Sequence, residues 1–216
     1  MANLYIVATP IGNIEDITLR ALKILKEADL ILCEDTRKTK ILLNHYKIQT
    51  PTESYHQHSK IRKVGKIKET LKQGKDIALV SDSGTPGISD PGSKLIQEVK
   101  NIASIIPIPG PSALTAIISI SGLPTNKFLF LGFPPHKKGR NKFFKEIQDS
   151  KYSVIIYESP HRIEKTIKEL KNIKSKEIII GRELTKKFET IYRGEIDNIE
   201  IPKQEQKGEF TIAINK

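Results

Sequence analysis

The sequence is poor in cysteine and in long apolar segments. Its one cysteine, Cys33, excludes a disulfide framework and a multi-cysteine zinc or iron–sulfur site. Because Cys33 ends an apolar segment, we expect it to be packed in the core. The N-terminus lacks the basic region and apolar core of a secretion signal, and no apolar run reaches the ~18–20 residues that a membrane span requires. We therefore expect a cytoplasmic protein with no membrane partner.

Several motifs of nucleotide-binding and hydrolytic enzymes are also absent. The sequence has neither the Gly-x-Gly-x-x-Gly spacing of a dinucleotide loop nor a Gly-Lys-Ser/Thr triplet, which disfavours a dehydrogenase and an NTPase. It has no Gly-x-Ser-x-Gly turn, so a serine hydrolase is not supported. His56 and His58 are placed to share one face of a strand, but no third metal ligand can be identified, so no metal site is predicted.

Positive charge is in excess. The 216 residues include 36 Lys+Arg, 29 of them lysine, against 25 Asp+Glu, which gives a formal charge of +11. Such an excess favours a polyanionic partner such as nucleic acid, although dispersed lysines also occur on ordinary solvated surfaces. The 38% hydrophobic and 28% charged residues are typical of a folded globular protein.

The first half of the chain alternates short apolar runs with amphipathic stretches of helical periodicity. The predicted strands are residues 4–8, 29–33, 53–56, 77–80 and 105–108. The predicted helices between them are residues 16–28, 36–46, 61–71 and 94–100. This alternation predicts βαβ units and a parallel, doubly wound sheet covered on both faces.

The pattern changes after the Pro109-Gly110-Pro111 turn. We expect a helix over residues 112–121, capped by Ser112 and ended by Gly122. Strands are then predicted at residues 128–131, 154–157, 177–180, 189–192 and 210–214, with helices around 143–147 and 163–170. This order indicates a second α/β domain with a mixed sheet, so we place the domains at 1–121 and 122–216.

Four segments that follow predicted parallel strands have unusual sequences. They are residues 9–13, 34–37, 81–87 and 109–113. Because the carboxyl ends of parallel strands lie at one edge of a sheet, these segments are expected to meet there and to bind a ligand. Short loops rich in glycine and proline suit a ligand with an adenine, a ribose and an amino-acid tail better than a triphosphate. Each segment alone is equally typical of an ordinary turn.

The second domain has charged residues after two apolar strands and in one basic run. These segments are Tyr157-Glu158-Ser159-Pro160-His161-Arg162, Arg182-Glu183-Leu184-Thr185-Lys186 and Lys137-Lys138-Gly139-Arg140. Their side chains suit proton transfer or phosphate contacts. Salt bridges at a domain interface, or a solvated basic loop, are the alternatives.

Six motifs occur together and in order. Four belong to the first half of the chain: Val7-Ala8-Thr9-Pro10-Ile11-Gly12-Asn13, Glu34-Asp35-Thr36-Arg37, Ala78-Leu79-Val80-Ser81-Asp82-Ser83-Gly84-Thr85-Pro86 and Pro109-Gly110-Pro111-Ser112. The other two are Tyr157-Glu158-Ser159-Pro160-His161-Arg162 and Arg182-Glu183-Leu184-Thr185-Lys186. On these motifs the whole chain resembles the small-subunit ribosomal RNA cytidine 2′-O-methyltransferases, a branch of the tetrapyrrole-methylase superfamily. Other branches carry a glycine-rich first loop and Gly-Asp-Pro in place of Gly84-Thr85-Pro86, so the first two motifs select the RNA branch.

The resemblance implies two α/β domains of the tetrapyrrole-methylase type with S-adenosylmethionine in the cleft between them, on a homodimer. Its expected cofactor residues are Pro10, Ile11, Ser83, Gly84, Thr85, Ile88, Ser112, Ala113, Tyr157 and Thr211. Helix N-terminal N–H groups at Ser112 and Ala113 suit a carboxylate or a ribose hydroxyl. Many relatives continue into a small C-terminal extension, whereas this sequence ends at Asn215-Lys216.

The resemblance also implies a substrate, 16S rRNA in the small ribosomal subunit, whose ribose 2′-hydroxyl attacks the sulfonium methyl carbon in line. The expected catalytic residues are Glu158 and Glu183 as bases, with Arg182. The expected RNA contacts are Arg37, His161, Arg162, Lys186, Lys137, Lys138 and Arg140. Methylation of a tetrapyrrole precursor or a protein side chain, and a non-catalytic RNA-binding factor, are the alternative functions.

Overall fold

The computed structural model describes residues 1–56, 61–173 and 177–216. The chain divides into two compact units, Met1–Ser112 and Ala113–Lys216. The sequence places the division nine residues later, after residue 121. The difference arises because the helix Ala113–Ser121 packs on two strands of the second sheet, and so belongs to the second unit.

The first unit is a five-stranded sheet between helices. Its strands are β1 (Asn3–Val7), β2 (Leu30–Cys33), β3 (Thr52–Ser54), β4 (Ile77–Leu79) and β5 (Ser104–Ile108). Its helices are α1 (Leu19–Glu27), α2 (Thr36–His45), α3 (Ile61–Lys72) and α4 (Ser93–Val99). The strand order is β3-β2-β4-β1-β5, and every pairing is parallel, which confirms the doubly wound sheet.

Each face of this sheet is covered by a pair of helices. Leu4, Leu32 and Leu79 pack with α3 and α4 on one face, whereas Val7 and Ile31 pack with α1 and α2 on the other. Strands buried on both faces must be apolar at successive positions, which is why they are continuous apolar runs in the sequence. Cys33 is fully buried among the second group, as the sequence predicts.

The second unit is built on another five-stranded sheet. Its strands are β6 (Phe128–Gly132), β7 (Ser153–Glu158), β8 (Ile178–Arg182), β9 (Thr190–Gly194) and β10 (Phe210–Ile214). Its helices are α5 (Ala113–Ser121), α6 (Arg140–Asp149) and α7 (Ile163–Lys171). In the order β6-β7-β10-β8-β9, β6 is parallel to β7 and the remaining pairs are antiparallel, so the predicted mixed sheet is confirmed.

The two faces of the second sheet differ in their cover. Ile156, Ile212 and Ile180 point into a core completed by α6 and α7. Their strand neighbours point to the opposite face, because side chains alternate along a strand, and α5 packs there on β8 and β10. Gly181 leaves room for that packing, since a Cβ at this position would lie 3.0 Å from Ile117 Cδ1.

The longest uncharged stretch, residues 101–126, is divided between β5 and α5. Within the described residues, no helix has the length and apolar character needed to cross a membrane.

We expect Ile212→Ala to lower the free energy of unfolding by about 3 kcal/mol, because this fully buried side chain lies on the central strand β10. Ile191→Ala, at a partly exposed position of the edge strand β9, is the matched control and should lose less than half as much. Urea unfolding followed by circular dichroism measures both. Equal losses would contradict the central placement of β10.

Candidate active site

The loop after β4, residues 81–87, contacts the loops that follow the three other strands expected to carry ligand contacts. Thr9 and Gly84 exchange two backbone hydrogen bonds, with N···O distances of 2.9 and 3.0 Å. The Thr85 hydroxyl donates to the carbonyl of Pro111 at 3.2 Å. The Asp82 carboxylate accepts from the backbone N–H of Asp35 at 2.9 Å. The four strand-end segments therefore form one continuous surface, as the sequence predicts.

Close packing at this surface requires glycine. Gly84 has a positive φ of 76°, and a Cβ there would lie 3.4 Å from Ile11 Cγ2. A Cβ on Gly110 would lie 3.1 Å from the Cβ of Ala8. Gly87 also has a positive φ, of 86°, but no atom lies within 4 Å of its Cβ position, so this backbone is open to an approaching molecule.

The β2 end of the surface carries paired charges. Lys38 Nζ lies 2.7 Å from Asp82 Oδ2, and Arg37 binds Asp35 at 2.7 Å. Hydrogen bonds from Arg37 hold the pKa of the Asp35 carboxyl well below its usual range. Burial, together with the Asp82 charge, raises the pKa of Glu34. Arg37 remains largely exposed, so its guanidinium is accessible, although its charge is partly compensated.

The donor set of the remaining loops matches the group implied by the resemblance. Residues 9–13, 83–88 and 109–113 contain hydroxyl groups, glycines and prolines, but no lysine or arginine. Backbone N–H and C=O groups and hydroxyls suit an adenosine and a zwitterionic amino acid, whereas a triphosphate would require cations. These residues therefore fit S-adenosylmethionine.

In the second unit, Tyr157 and Thr211 are direct cross-strand partners of β7 and β10. Gly181 follows in the same row, opposite Thr211. The Tyr157 ring contacts two phenylalanines, with centroid distances of 4.9 Å to Phe130 and 5.4 Å to Phe133. The two expected cofactor residues of this sheet thus lie side by side on one face.

Glu158 and Arg182 lie on the opposite face of that sheet. Both are cross-strand partners of Phe210, one residue out of phase with Tyr157 and Gly181, and side chains alternate along a strand. Glu158 is 1% exposed and Arg182 is 8% exposed. This placement argues against Glu158 as a base, because a base must reach the proton that it accepts.

The buried Glu158 carboxylate is held by three donors. The backbone N–H of Ser159 donates at 2.7 Å, the Thr166 hydroxyl at 2.6 Å, and the Arg162 guanidinium lies at 2.8 Å. Arg162 in turn donates to the carbonyl of Pro134 at 2.7 Å. Arg162 is only 15% exposed and is occupied by these partners, which argues against its expected role as a phosphate contact.

Arg140 extends the same network. Its guanidinium donates to the Thr166 hydroxyl at 2.7 Å, to Glu169 at 2.9 Å and to the carbonyl of Pro135 at 3.0 Å. Arg140 is only 3% exposed and has three partners, which argues against the RNA contact expected for it. The role that remains for Arg140 is to fix the loop before α6.

The β8–β9 loop is also fixed by a buried arginine. Arg182 donates to the carbonyls of Lys207 and Phe188, at 3.1 and 2.9 Å. These contacts argue for a role in positioning the loop and against direct contact with a ligand. Glu183 follows with a positive φ of 52°, and its carboxylate accepts from Lys186 Nζ at 2.8 Å. Opposing effects act on the Lys186 ammonium: burial lowers its pKa, but hydrogen bonds to Glu183 and Glu209 outweigh burial and raise it.

The remaining expected RNA contacts lie on the surface of the second unit: His161, Lys137 and Lys138 are exposed. His56 is described, but His58 lies outside the described residues. Within residues 1–56, 61–173 and 177–216, no group of three or more His, Cys, Asp or Glu side chains could hold a metal ion.

The buried network around Glu158 and Arg140 includes two residues that no sequence motif indicates, Thr166 and Glu169. Thr166 is the one hydroxyl residue on the inward face of α7, between Ile163 and Leu170, and a polar residue on an apolar helix face is a signal that sequence inspection can find. Glu169, by contrast, is a common exposed residue type on a helix, and nothing local indicates its partner 29 residues away.

A parallel sheet whose strand-end loops form one surface, followed by a unit with a mixed sheet, defines a two-unit α/β protein. The family model described as Tetrapyrrole (Corrin/Porphyrin) Methylases matches residues 3–200. The chain belongs to this family, whose methyl donor is S-adenosylmethionine.

Two curated relatives carry the same name, ribosomal RNA small subunit methyltransferase I. The relative from Thermotoga maritima is 42% identical over 100% of this chain and 99% of its own length. That from Mycoplasmopsis pulmonis is 48% identical over 98% of this chain and 97% of its own length.

Solved structures of more distant proteins share the fold. A diphthine synthase aligns with a TM-score of 0.75 at 15% identity, covering 100% of this chain and 90% of its own. A cobalt precorrin-4 methyltransferase aligns with a TM-score of 0.73 at 17% identity, covering 99% of this chain and 94% of its own.

We expect Thr166→Val to lower the free energy of unfolding by about 2 kcal/mol, because it removes a donor from a buried carboxylate and an acceptor from a buried guanidinium. Thr166→Ser keeps the hydroxyl and should cost about 1 kcal/mol for the lost methyl group. Chemical unfolding at neutral pH compares the two variants. If the valine variant is as stable as the serine variant, the network does not stabilise the fold.

Proposed function

We propose that the protein transfers a methyl group from S-adenosylmethionine to the ribose 2′-hydroxyl of a cytidine in small-subunit ribosomal RNA. The observation that carries this proposal is the continuous surface of strand-end loops joined at residues 81–87, whose cofactor-facing segments lack cations. The names of the two relatives support rRNA as the substrate, and the charge of +11 suits a polyanion.

Each unit, taken by itself, contains residues that we propose to bind the cofactor. In the first unit they are Pro10, Ile11, Ser83, Gly84, Thr85, Ile88 and Ser112. In the second unit they are Ala113, Tyr157 and Thr211. The bound group supplies an electrophilic methyl on a sulfonium. The open backbone at Gly87 and the hydroxyls of Ser83 and Ser112 are the features of this chain that admit and orient it.

A ribose hydroxyl is a weak nucleophile at neutral pH, so the protein must orient it and accept its proton. Of the two expected bases, Glu183 is the one we retain. Its carboxylate lies in a loop at the end of β8, is 17% exposed and forms an ion pair with the Lys186 ammonium at 2.8 Å. Arg182 is a positioning residue, because its guanidinium binds the carbonyl of Phe188 in this loop and that of Lys207 in the segment before β10.

RNA would be held by the exposed cations of the second unit together with Arg37. Lys137, Lys138 and His161 are exposed, and Lys186 carries a partly compensated charge beside Glu183. A homodimer, and action on the assembled small subunit, are part of the proposal. A ribosomal substrate places the activity in the cytoplasm.

Transfer of tritiated methyl groups to purified small subunits, followed by nucleoside analysis, tests this function. The expected product is 2′-O-methylcytidine in 16S rRNA. Product on a protein or on a tetrapyrrole precursor would favour another activity of the family. Failure to bind S-adenosylmethionine in a calorimetric titration would indicate a non-catalytic RNA-binding factor. Absence of 2′-O-methylcytidine with a protein that binds the cofactor would overturn the proposal.

We expect Glu183→Gln to lower kcat by about 10²- to 10⁴-fold, because the amide cannot accept the proton, while the affinity for S-adenosylmethionine is retained. Glu209→Gln is the matched control: Glu209 also binds Lys186, but its side chain is 71% exposed. Single-turnover methylation kinetics measure the rates of both variants. Full turnover by Glu183→Gln would remove Glu183 as the base.

We expect the double variant Lys137→Ala, Lys138→Ala to bind rRNA more weakly and with less salt dependence. Two lost phosphate contacts reduce the slope of log affinity against log salt by about 1.4–1.8. The control is Lys72→Ala, Lys75→Ala, an equal charge change just before β4, at the amino edge of the first sheet. Filter binding at several salt concentrations gives the slopes. Equal slopes for the two double variants would contradict the RNA contact.

A further inference from the structure

The loop between β6 and α6, residues 133–139, is fixed at its base and exposed at its tip. The carbonyls of Pro134 and Pro135 accept hydrogen bonds from Arg162 and Arg140, both anchored in the buried network around Glu158. Residues 136–139 are exposed. The network therefore holds the loop in one arrangement while leaving its tip free for contacts.

Phe133 is an aromatic side chain left open by this arrangement. It is 49% exposed, although it directly follows a strand of the sheet. One edge of its ring contacts Tyr157, at a centroid distance of 5.4 Å and an interplanar angle of 59°. Tyr157 is itself packed against Phe130 at 4.9 Å. The Phe133 ring thus packs against Tyr157 and is otherwise accessible to solvent.

Two lysines follow this ring in the same loop. Lys137 and Lys138 are exposed, and neither has an ion pair with any of the residues that the structure describes. A loop with an exposed aromatic ring and exposed cations is typical of surfaces that bind unpaired nucleotides, in which the ring stacks on a base and the cations bind phosphates. The centre of a protein–protein interface is, by contrast, depleted in lysine.

We propose that Phe133 stacks on an unpaired base of the RNA substrate, beside Tyr157, while Lys137 and Lys138 bind the adjoining phosphates. This inference rests on the proposed function and adds to it a residue that positions the substrate through its base. Because every base has a π-face, the contact orders the strand without selecting its sequence. It favours a substrate whose target nucleotide is unstacked from a helix.

The chain contains no tryptophan, so Phe133→Trp introduces a single reporter. We expect its fluorescence to be quenched when a protein-free 16S rRNA transcript is added, because the indole stacks on a base. Tyr152→Trp is the matched control: Tyr152 is 42% exposed and precedes β7, at the opposite end of that strand from Tyr157. Its fluorescence should not change. Equal responses of the two variants, while Phe133→Trp binds the transcript, would overturn the stacking.

Binding and turnover provide the second test. Phe133→Ala should weaken binding of the transcript by roughly 5- to 100-fold, whereas Phe133→Tyr keeps the ring and should bind like the unchanged protein. Affinity for S-adenosylmethionine and the unfolding midpoint should stay the same in both. A loss of cofactor affinity with unchanged RNA affinity would overturn the proposal and make Phe133 a wall of the cofactor site.

The unchanged protein separates this inference from the function on which it rests. If the unchanged protein methylates small subunits but Phe133→Ala binds RNA and turns over equally well, the stacking proposal alone fails. If the unchanged protein neither binds the transcript nor methylates small subunits, the proposed function fails, and the stacking proposal fails with it.

Discussion

The backbone pairing between Thr9 and Gly84 is the contact on which the ligand surface of the first unit depends. β1 and β4 are neighbours in the sheet but are far apart in the chain, so their following loops meet only because both strands run in the same direction. Gly84 can complete the pairing because its positive φ turns the chain back toward Thr9. Thr85 and Asp82, on either side, then bring in the loops after β5 and β2.

In the second unit, buried charged side chains hold the loops in place. Glu158 and Arg182 are adjacent in sequence to residues proposed for the site, yet both face the α6 and α7 side of the sheet. The Glu158–Arg162 ion pair is costly to disrupt once buried, and through Pro134 it fixes the path of residues 133–139. The Arg182 guanidinium binds the carbonyl of Phe188 and so fixes the path of residues 183–189.

The order and direction of the elements could be predicted from sequence, because apolar runs, glycines and prolines act locally. The ten strands found among the described residues lie within a few residues of their predicted positions. Side-chain roles are harder to predict. Strict alternation along a strand places Tyr157 and Glu158 on opposite faces, whereas their motif by itself indicates one cluster. Arg140 belongs to a basic run in the sequence, and its partners, Thr166 and Glu169, lie far along the chain.

Local sequence does not indicate that α5 belongs to the second unit, because its contacts with β8 and β10 are with residues far along the chain.

The anchoring of Pro134 and Pro135 through their carbonyls has an evolutionary consequence. Proline lacks a backbone N–H, so its carbonyl is the one main-chain group by which such a residue can be held. Since Arg162 and Arg140 bind the main chain and not a side chain, the anchoring of the loop does not depend on the side chains at residues 136–138, which are exposed. Substitutions at these three positions can therefore change the charge of this surface without cost to the fold.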